Sequence, residues 1–256
     1  MRIVLALAFL VLSLMPAAAL EDRTGYPSLT PQQDDEIRAI VRRLLLNEPD
    51  LLERALENLR DTKDQDRLDR QREAIAQNRA AIFDDPRDIV LGDPSAPFPV
   101  VMWIDYNCTY CRAERPVIDR LLETNPRVKV IVKALPVLGA GSRDSAKIAL
   151  AVRAAYPTLA PSFHRALLDL TQPANTDAAF DVATQMSLAR PEISAIADSE
   201  AIETYLDRTL DLAEDLELTG TPTYLIGDTF YFGQMAADDL YATVNQAYCG
   251  TDACEN

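Results

Sequence analysis

The sequence predicts an α/β fold organised around one Cys-x-x-Cys motif, formed by Cys108 and Cys111. Two observations carry this prediction. The apolar run Phe98–Ile104 leads directly into the motif, without the alternation of a half-exposed strand, and so indicates a buried strand. After the motif, apolar residues recur on one helical face, at Val117, Ile118, Leu121 and Leu122. From about residue 88 onwards, the predicted order of elements is β–β–α–β, a helical block over about residues 142–216, and β–β–α.

The order of strand, cysteine pair and helix places Cys108 at a helix N-terminus. Free backbone N–H groups and the helix dipole favour an anion there. The pKa of a cysteine, about 8.5 when free, can fall to roughly 3.5–7.5 in such a setting. We therefore predict that Cys108 is the exposed nucleophile and that Cys111, one turn further on, is the resolving thiol. Two alternatives are half of a structural zinc site and an inert structural disulfide, but the strand-to-helix context favours a redox dithiol.

Length and charge limit the classes of function. A chain of 256 residues can hold one large domain, or a domain and an extension. Its net charge of −15 argues against binding to nucleic acid or to anionic membrane surfaces. The four cysteines form two close pairs, which suits an oxidising compartment.

Residues 1–19 have the pattern of a signal peptide. Arg2 forms the charged region, Ile3–Met15 the apolar region, and Ala17-Ala18-Ala19 a small-x-small cleavage site. The alternative is an uncleaved anchor, although the apolar run is shorter than the roughly 20 residues of a spanning helix. We expect an exported protein whose mature chain begins near Leu20.

Residues 20–83 predict a helical extension. After a leader, Thr30 and Pro31 can cap and start a helix, and Asn47–Pro49 separates it from a second one. Each helix has an apolar face, formed by Ile37, Ile40, Val41, Leu44 and Leu45 and by Leu51, Leu52, Leu56 and Leu59. Exposed apolar faces of this kind favour association, either with another copy of the chain or with the catalytic domain of the same chain.

Residues 60–79 continue the helical pattern but turn polar, and predict a solvated helical linker that Pro86 ends. Further along, Asp88–Gly92 is an edge-strand candidate, and residues 128–132 predict a strand parallel to the first buried one. We expect Pro116 to kink the helix that carries the cysteines. Near the C-terminus, residues 221–226 and 229–232 predict a hairpin, followed by a helix over 236–248.

Four landmarks in this order resemble the DsbA family, whose members have a thioredoxin fold with an inserted α-helical domain. They are the run from Phe98 to Cys111, Leu135-Pro136-Val137-Leu138-Gly139, Ser162-Phe163-His164-Arg165-Ala166-Leu167, and Gly220-Thr221-Pro222-Thr223. The resemblance covers roughly residues 84–248 and assigns residues 84–256 to a DsbA-like domain. The N-terminal extension resembles that of ScsC-type members, which use it to oligomerise.

The resemblance implies that Pro222 is cis and lies opposite the cysteine pair. Thr221 and Pro222, together with Thr109 and Tyr110, would then contact the substrate, with Thr221–Pro222 binding it as an extended strand. The implied activity is thiol–disulfide exchange, which needs no cofactor and no metal.

Three departures from the family pattern matter. Thr109-Tyr110 replaces the Pro-His of the most oxidising members, so we expect a milder oxidant. Met102 occupies the strand position where many relatives keep a buried Glu that moves protons to the resolving thiol. Asp105 is the nearest acid in sequence and a possible proton relay, although it can equally cap a turn. Finally, Thr221 precedes the proline, and small hydroxyl residues there occur in isomerases, reductases and oxidases alike.

His164, Cys249 and Cys254 lie outside the Cys-x-x-Cys motif, and we expect structural roles for them. His164, the only histidine, predicts a helix-packing residue in the insert. Cys249 and Cys254 predict a tail disulfide, with a second redox pair as the alternative.

We therefore expect an exported, periplasmic bacterial thiol–disulfide oxidoreductase, with isomerase activity as one possible form. Its expected partners are unfolded or misfolded disulfide-containing proteins, a membrane redox partner of DsbB or DsbD type, and further copies of itself. The alternatives are a copper-handling thiol protein, because two soft thiolates suit Cu(I), and an oligomeric holdase.

Overall fold

The computed structural model describes residues 29–249, which form two compact units, residues 29–63 and residues 64–249. The predicted signal peptide and the predicted Cys249–Cys254 disulfide lie outside this description. Over the described range, none of the helices combines the length and the hydropathy needed to cross a membrane.

The first unit consists of helix α1, Pro31–Asn47, and the beginning of helix α2, Pro49–Gln77. A capping box starts α1: the Thr30 side chain accepts from the Gln33 N–H, and the Gln33 side chain accepts from the Thr30 N–H. No residue of α1 is buried. The apolar faces predicted for both helices are therefore solvent-exposed in the single chain.

The second unit is built on a five-stranded mixed sheet with the order β1-β3-β2-β4-β5. Strands β2 and β3 are parallel, as predicted, and the other neighbouring pairs are antiparallel. The strands are β1, Ile89–Gly92; β2, Phe98–Ile104; β3, Val128–Ala134; β4, Thr223–Ile226; and β5, Thr229–Phe232.

Helices cover this sheet and form the insert between β3 and β4. They are α3, Arg79–Phe83; α4, Thr109–Thr124; α5, Ala140–Ala155; α6, Ala160–Leu168; α7, Thr176–Gln185; α8, Arg190–Ala197; α9, Glu200–Asp215; and α10, Ala237–Cys249. Helix α4 links the parallel strands β2 and β3 and runs through Pro116. The predicted helical block therefore consists of the five helices α5–α9.

The pleat of the sheet separates two hydrophobic cores. On β2, Val100, Met102 and Ile104 face the first core, which also contains Cys111 and much of the insert. Val101 and Trp103, which alternate with them, face a second core that contains Ile75 and Ile82. Cys111 is thus buried under the sheet's first face, and the second face is covered by other parts of the chain.

The linker prediction for residues 60–79 differs from the structure in its second half. Ile75 and Ile82 are buried against Trp103, and Gln71 is also buried. The compact unit that contains the sheet begins at Asp64. One apolar residue per heptad is too few for a coiled coil, but it is enough for a helix that packs one narrow edge on a sheet.

A buried ion pair also joins this segment to the sheet. Lys133 on β3 forms a salt bridge with Asp88 and donates to the carbonyl oxygen of Ala81, while Tyr205 donates to Asp88. Burial raises the pKa of Asp88 to about 6, against the attraction of the Lys133 ammonium group. Through Lys133 and Asp88, these contacts connect α3 and α9 to strand β3.

Candidate active site

Cys108 is the N-cap residue of α4, as predicted, and its thiol faces the loop before β4. Its Sγ lies 3.2 Å from the carbonyl oxygen of Thr221 and donates a hydrogen bond to it. The residue is 6% exposed, whereas Cys111 is 0% exposed. Cys108 is therefore less open than the predicted exposed nucleophile, because the Thr221 backbone lies over it, but it is the accessible thiol of the two.

Cys111 is fully enclosed by protein. Burial raises the pKa of its thiol, while contacts with the backbone of Asp105 and the side chain of Thr221 act in the opposite direction. Cys108 and Cys111 are not joined by a disulfide bond in this structure. A thiol that stays protonated until it attacks suits the resolving role better than that of the initial nucleophile.

The Thr221–Pro222 peptide bond is cis, as the resemblance implies. The loop is held by two hydrogen bonds: the Gly233 N–H donates to the Pro222 oxygen at 2.8 Å, and the Thr223 hydroxyl donates to the Gly220 oxygen at 2.7 Å. The Thr221 carbonyl is thereby presented to Cys108.

The two residues between the cysteines are exposed, and Tyr110 keeps 62% of its surface in solvent. Thr109 and Tyr110 are thus free to contact another molecule beside Cys108.

Asp105 is buried and holds the turn before Cys108. Its carboxylate accepts from the backbone N–H groups of Asn107, Val137 and Leu138, at 2.7, 2.9 and 2.9 Å. These contacts correspond to the turn-capping role considered for Asp105 in the sequence. Its role as a proton relay stays a prediction.

Asn107 and Arg112 join the active-site turn to the helical insert, which the sequence analysis did not predict. Asn107 pairs with both the N–H and the carbonyl of Ala174. Arg112 donates to the carbonyls of Tyr106, Leu170 and Gln172. Because these partners lie 58 to 67 positions away, apart from Tyr106, no local sequence pattern reveals the contacts.

His164 is buried and its Nδ1 lies 3.0 Å from the Tyr106 hydroxyl. Burial lowers its pKa to about 3, so the imidazole is neutral at neutral pH. This matches the predicted packing role.

A second buried group near Cys111 was also missed. Glu114 on α4 is 0% exposed, and it accepts a hydrogen bond of 2.6 Å from the hydroxyl of Tyr224 on β4. The Met235 N–H donates to its other oxygen at 3.2 Å. The spacing of Cys111 and Glu114, three residues apart on a helix, was a signal that could have placed them on one face.

The described residues contain no group of three or more His, Cys, Asp or Glu side chains arranged to hold a metal ion. The site therefore offers two thiols, a backbone carbonyl and buried polar groups, which together suit thiol–disulfide exchange.

Comparisons with known proteins agree with this chemistry. The family described as "DSBA-like thioredoxin domain" matches residues 99–245, more than half of the chain. The chain therefore belongs to the DsbA family of thiol–disulfide oxidoreductases.

The individual relatives share between 24% and 28% of their residues with this chain over the matched regions. The thiol:disulfide interchange protein DsbA of Bordetella parapertussis is 24% identical over 153 residues, which cover 59% of this chain and 73% of the relative. The structure of Proteus mirabilis ScsC in a transitional conformation matches with a TM-score of 0.65 and 28% identity, over 88% of this chain and 99% of that one. A periplasmic thioredoxin-like protein of Salmonella enterica serovar Typhimurium matches with a TM-score of 0.62 and 27% identity, over 66% and 94%.

Proposed function

We propose that this protein is an exported thiol–disulfide oxidoreductase that rearranges disulfides of secreted proteins in the periplasm, with Cys108 as the nucleophile. The single observation that carries the assignment of roles is the contact between the Cys108 thiol and the Thr221 carbonyl at the N-terminus of α4. That contact brings the reacting sulfur, the helix end and the substrate-binding backbone to one point.

The reaction has two exchange steps. In the first, the Cys108 thiolate attacks one sulfur of a substrate disulfide, which forms a mixed disulfide and releases the other substrate sulfur as a thiolate. In the second, Cys111 loses its proton and attacks Cys108. The Cys108–Cys111 disulfide forms, the substrate leaves fully reduced, and two electrons have passed to it. The reverse sequence oxidises a substrate dithiol.

The surface around Cys108 suits an unfolded polypeptide. The backbone of Thr221–Pro222 can pair with an extended chain, as the family resemblance implies. Large apolar side chains flank it, because the hydrogen bonds from Val137 and Leu138 to Asp105 hold those two exposed residues beside the active-site turn. Together with Tyr110 they form an apolar rim around a reactive sulfur.

The first unit supports an oligomeric form of the enzyme. Its two helices expose a set of large apolar side chains that the single chain leaves in water: Ile37, Ile40, Val41, Leu44, Leu45, Leu51, Leu52, Leu56 and Leu59. Association of copies through these faces would present several Cys108 sites to one misfolded substrate. Repeated attack on a held substrate favours disulfide isomerisation over single-pass oxidation. The predicted signal peptide and the periplasmic relative support export, after which a membrane redox partner of DsbB or DsbD type would reset the cysteine pair.

Two single-cysteine variants test the assignment. Cys108→Ala should abolish reduction of a small disulfide, because Cys111, the other thiol of the motif, is buried. Cys111→Ala should accumulate mixed disulfides that mass spectrometry detects. If Cys108→Ala retained activity, or if mixed disulfides formed at Cys111, the assigned roles would be wrong. The redox state of the pair, trapped directly in cells, separates an oxidase from an isomerase or reductase.

A holdase function is the second candidate, and the exposed apolar faces of α1 and α2 favour it. The test is suppression of aggregation of a reduced client by the Cys108→Ala/Cys111→Ala double variant. Full suppression without the cysteines would support the holdase, and its loss would support the enzyme alone.

A further inference from the structure

Cys111 needs a proton acceptor that the surrounding solvent does not provide. The thiol is buried, and burial raises its pKa. The cavity beside it has a volume of about 10 Å³ and is lined by Met102, Ile118 and His164 among others. That volume leaves room for about one water molecule at most. A protein group beside the thiol is therefore better placed than bulk water to take the proton when Cys111 attacks Cys108.

The strand position that carries a carboxyl group in many relatives is Met102 here, and a thioether does not accept a proton at neutral pH. Its neighbour across the sheet is Tyr224, in the antiparallel register of β2 and β4. The Tyr224 hydroxyl donates to Glu114 at 2.6 Å. A buried carboxyl group is thus present beside the usual position, supplied by helix α4 instead of by strand β2.

Glu114 has the environment of a proton acceptor. It lies three residues after Cys111 on the same helix, and both residues are 0% exposed. Burial raises the pKa of its carboxyl group above the usual range, while hydrogen bonds from Tyr224, Met235 and Gln234 oppose this. None of the groups that shift its pKa is a cation.

Tyr224 contacts Glu114 and lies on the strand next to Met102. It is fully buried in the same core cluster as Cys111, and negative charge on Cys111 is among the causes that raise the pKa of Tyr224. Its hydroxyl can accept from one partner while it donates to Glu114.

We propose that Glu114, acting through the Tyr224 hydroxyl, accepts the proton of the Cys111 thiol as Cys111 attacks the mixed disulfide. The Cys111–Cys108 bond forms, the bond between Cys108 and the substrate breaks, and the substrate leaves as a thiolate. Tyr224 takes the proton of Cys111 and passes its own to Glu114. In the oxidising direction the protonated Glu114 returns the proton to the departing Cys111 thiolate. The inference rests on the proposed roles of Cys108 and Cys111.

Other ionisable groups around Cys111 do not fill this role. His164 is neutral, with its pKa lowered to about 3 by burial. Burial raises the pKa of Asp119, but hydrogen bonds from Arg165 and Arg115 outweigh it and lower the pKa overall, so this carboxylate stays ionised. The Asp105 carboxylate already accepts three backbone hydrogen bonds. Glu114 is therefore the group near Cys111 whose titration should govern the second step.

The experiment is rapid-quench kinetics of the full-length protein with a peptide disulfide, in which mass spectrometry follows the mixed disulfide over time. It yields separate rate constants for attack by Cys108 and for resolution by Cys111. Glu114→Gln should slow resolution by about 10²–10⁴-fold, the usual contribution of general base catalysis, and leave the first step within about twofold. Tyr224→Phe should have the same effect in a weaker form. Tyr106→Phe is the matched control, since it removes the buried tyrosine hydroxyl that contacts His164 and should leave both steps unchanged.

The pH profile distinguishes proton transfer from a packing defect. In the wild type, resolution should slow as pH falls through the raised pKa of Glu114, because the protonated carboxyl group accepts nothing. In Glu114→Gln that titration should vanish, and the rate should rise about tenfold per pH unit with hydroxide concentration. Adding Met102→Glu to Glu114→Gln should restore part of the rate from the strand side.

Three results would decide against the proposal. Resolution by Glu114→Gln at the wild-type rate would overturn it, and so would an equal slowing of both steps. Loss of the titration in Asp105→Asn but not in Glu114→Gln would overturn it in favour of Asp105. If wild-type protein formed no mixed disulfide at Cys108, the proposed function itself would fail, and that result is separate from the others.

Discussion

The Sγ atom of Cys108 lies 3.2 Å from the carbonyl oxygen of Thr221, although 113 positions separate the two residues in sequence. The thiol donates a hydrogen bond to this oxygen, and the backbone N–H group of an incoming peptide could donate to the same oxygen. The contact therefore places the thiol beside a backbone acceptor that belongs to the cis-proline loop.

Selective alkylation should follow the difference in environment between the two cysteines. At pH 7 we expect iodoacetamide to modify Cys108 at least about tenfold faster than Cys111, because burial both shields the Cys111 sulfur and raises the pKa of its thiol. Peptide mapping by mass spectrometry gives the two rates, and the unfolded protein, in which both thiols should react alike, is the control. Faster modification of Cys111 would reverse the assigned roles.

The Cys108–Cys111 couple should be less oxidising than a Cys-Pro-His-Cys relative. Thr109 and Tyr110 supply no cation to stabilise the thiolate, and about 30 mV corresponds to 1.4 kcal/mol for this couple. Titration against a glutathione buffer should give a potential well below about −120 mV, the value of DsbA. Tyr110→His should raise it by tens of millivolts with little effect on stability, since Tyr110 is 62% exposed.

The control for that substitution is Tyr110→Gln, which removes the same ring without adding a titratable group and should leave the potential near the wild-type value. A wild-type potential already near about −120 mV would refute the argument from residue type.

The buried Lys133–Asp88 pair makes a prediction about stability. Lys133→Met should lower the free energy of unfolding at pH 7 by about 3–5 kcal/mol, because it removes the ammonium group that pairs with the buried Asp88 carboxylate. Lys129→Met is the matched control on the same strand. Its ammonium group contacts only an exposed carbonyl, so its loss should cost about 0.5 kcal/mol or less.

The loss in free energy of unfolding caused by Lys133→Met should depend on pH. The pKa of Asp88 is about 6 even beside Lys133, so without that cation the folded-state pKa lies higher still, well above the unfolded value of about 3.9. The folded state of Lys133→Met then binds more protons than the unfolded state does. The stability that this difference contributes is fully present below about pH 4 and is lost as pH rises through the folded-state pKa of Asp88. Urea unfolding at pH 5 and pH 8 should show the larger deficit at pH 8, and a deficit independent of pH would contradict this account.

The sequence was informative where a function depends on neighbouring residues. The strand, the Cys108–Cys111 motif and the helix are contiguous, so their periodicity sufficed to place Cys108 at a helix end. Pro222 was correctly expected to be cis, but only through the family resemblance.

Contacts between distant segments could not be predicted in this way. The hydrogen bond from Tyr224 to Glu114 spans 110 positions, and the pair of Lys133 and Asp88 spans 45. The sequence pattern shows that Lys133 lies inside an apolar strand, but it does not show which distant residue pairs with it. The packing of Ile75 on α2 and of Ile82 on α3 was missed for a related reason. Helix α2 is polar on most of its surface, and only the structure shows that both isoleucines are buried in the second core.

Truncation tests whether the domain begins at Asp64 or at the predicted residue 84. A chain that starts at Asp64 should keep the stability of the second unit, whereas one that starts at Asp84 loses Ile75 and Ile82 from the second core and uncovers Trp103. With about 1.5–3 kcal/mol for each buried isoleucine, we expect the shorter form to be less stable by roughly 3–6 kcal/mol. Urea unfolding of both forms provides the comparison, and equal stabilities would place the domain boundary at residue 84 after all.

The first unit should make the full-length protein an oligomer, and its loss should change activity without changing the fold. Light scattering should show an oligomer for the full-length chain and a monomer for the chain that starts at Asp64. The monomer should still reduce a small disulfide, because Cys108 and its surroundings lie in the second unit. It should fail to refold a scrambled protein with several disulfides, because only one active site would then face each substrate.

Point substitutions on α1 separate association from loss of the unit. Leu44→Asp places a carboxylate among Ile37, Ile40 and Val41 on the apolar face and should dissociate the oligomer and abolish isomerisation together, since each leucine buried on association contributes about 1.5–3 kcal/mol. Ala39→Asp adds the same charge on the opposite face of the helix and should change neither. A full-length protein that is monomeric, or a dissociated variant that still isomerises, would show that the apolar faces serve another purpose.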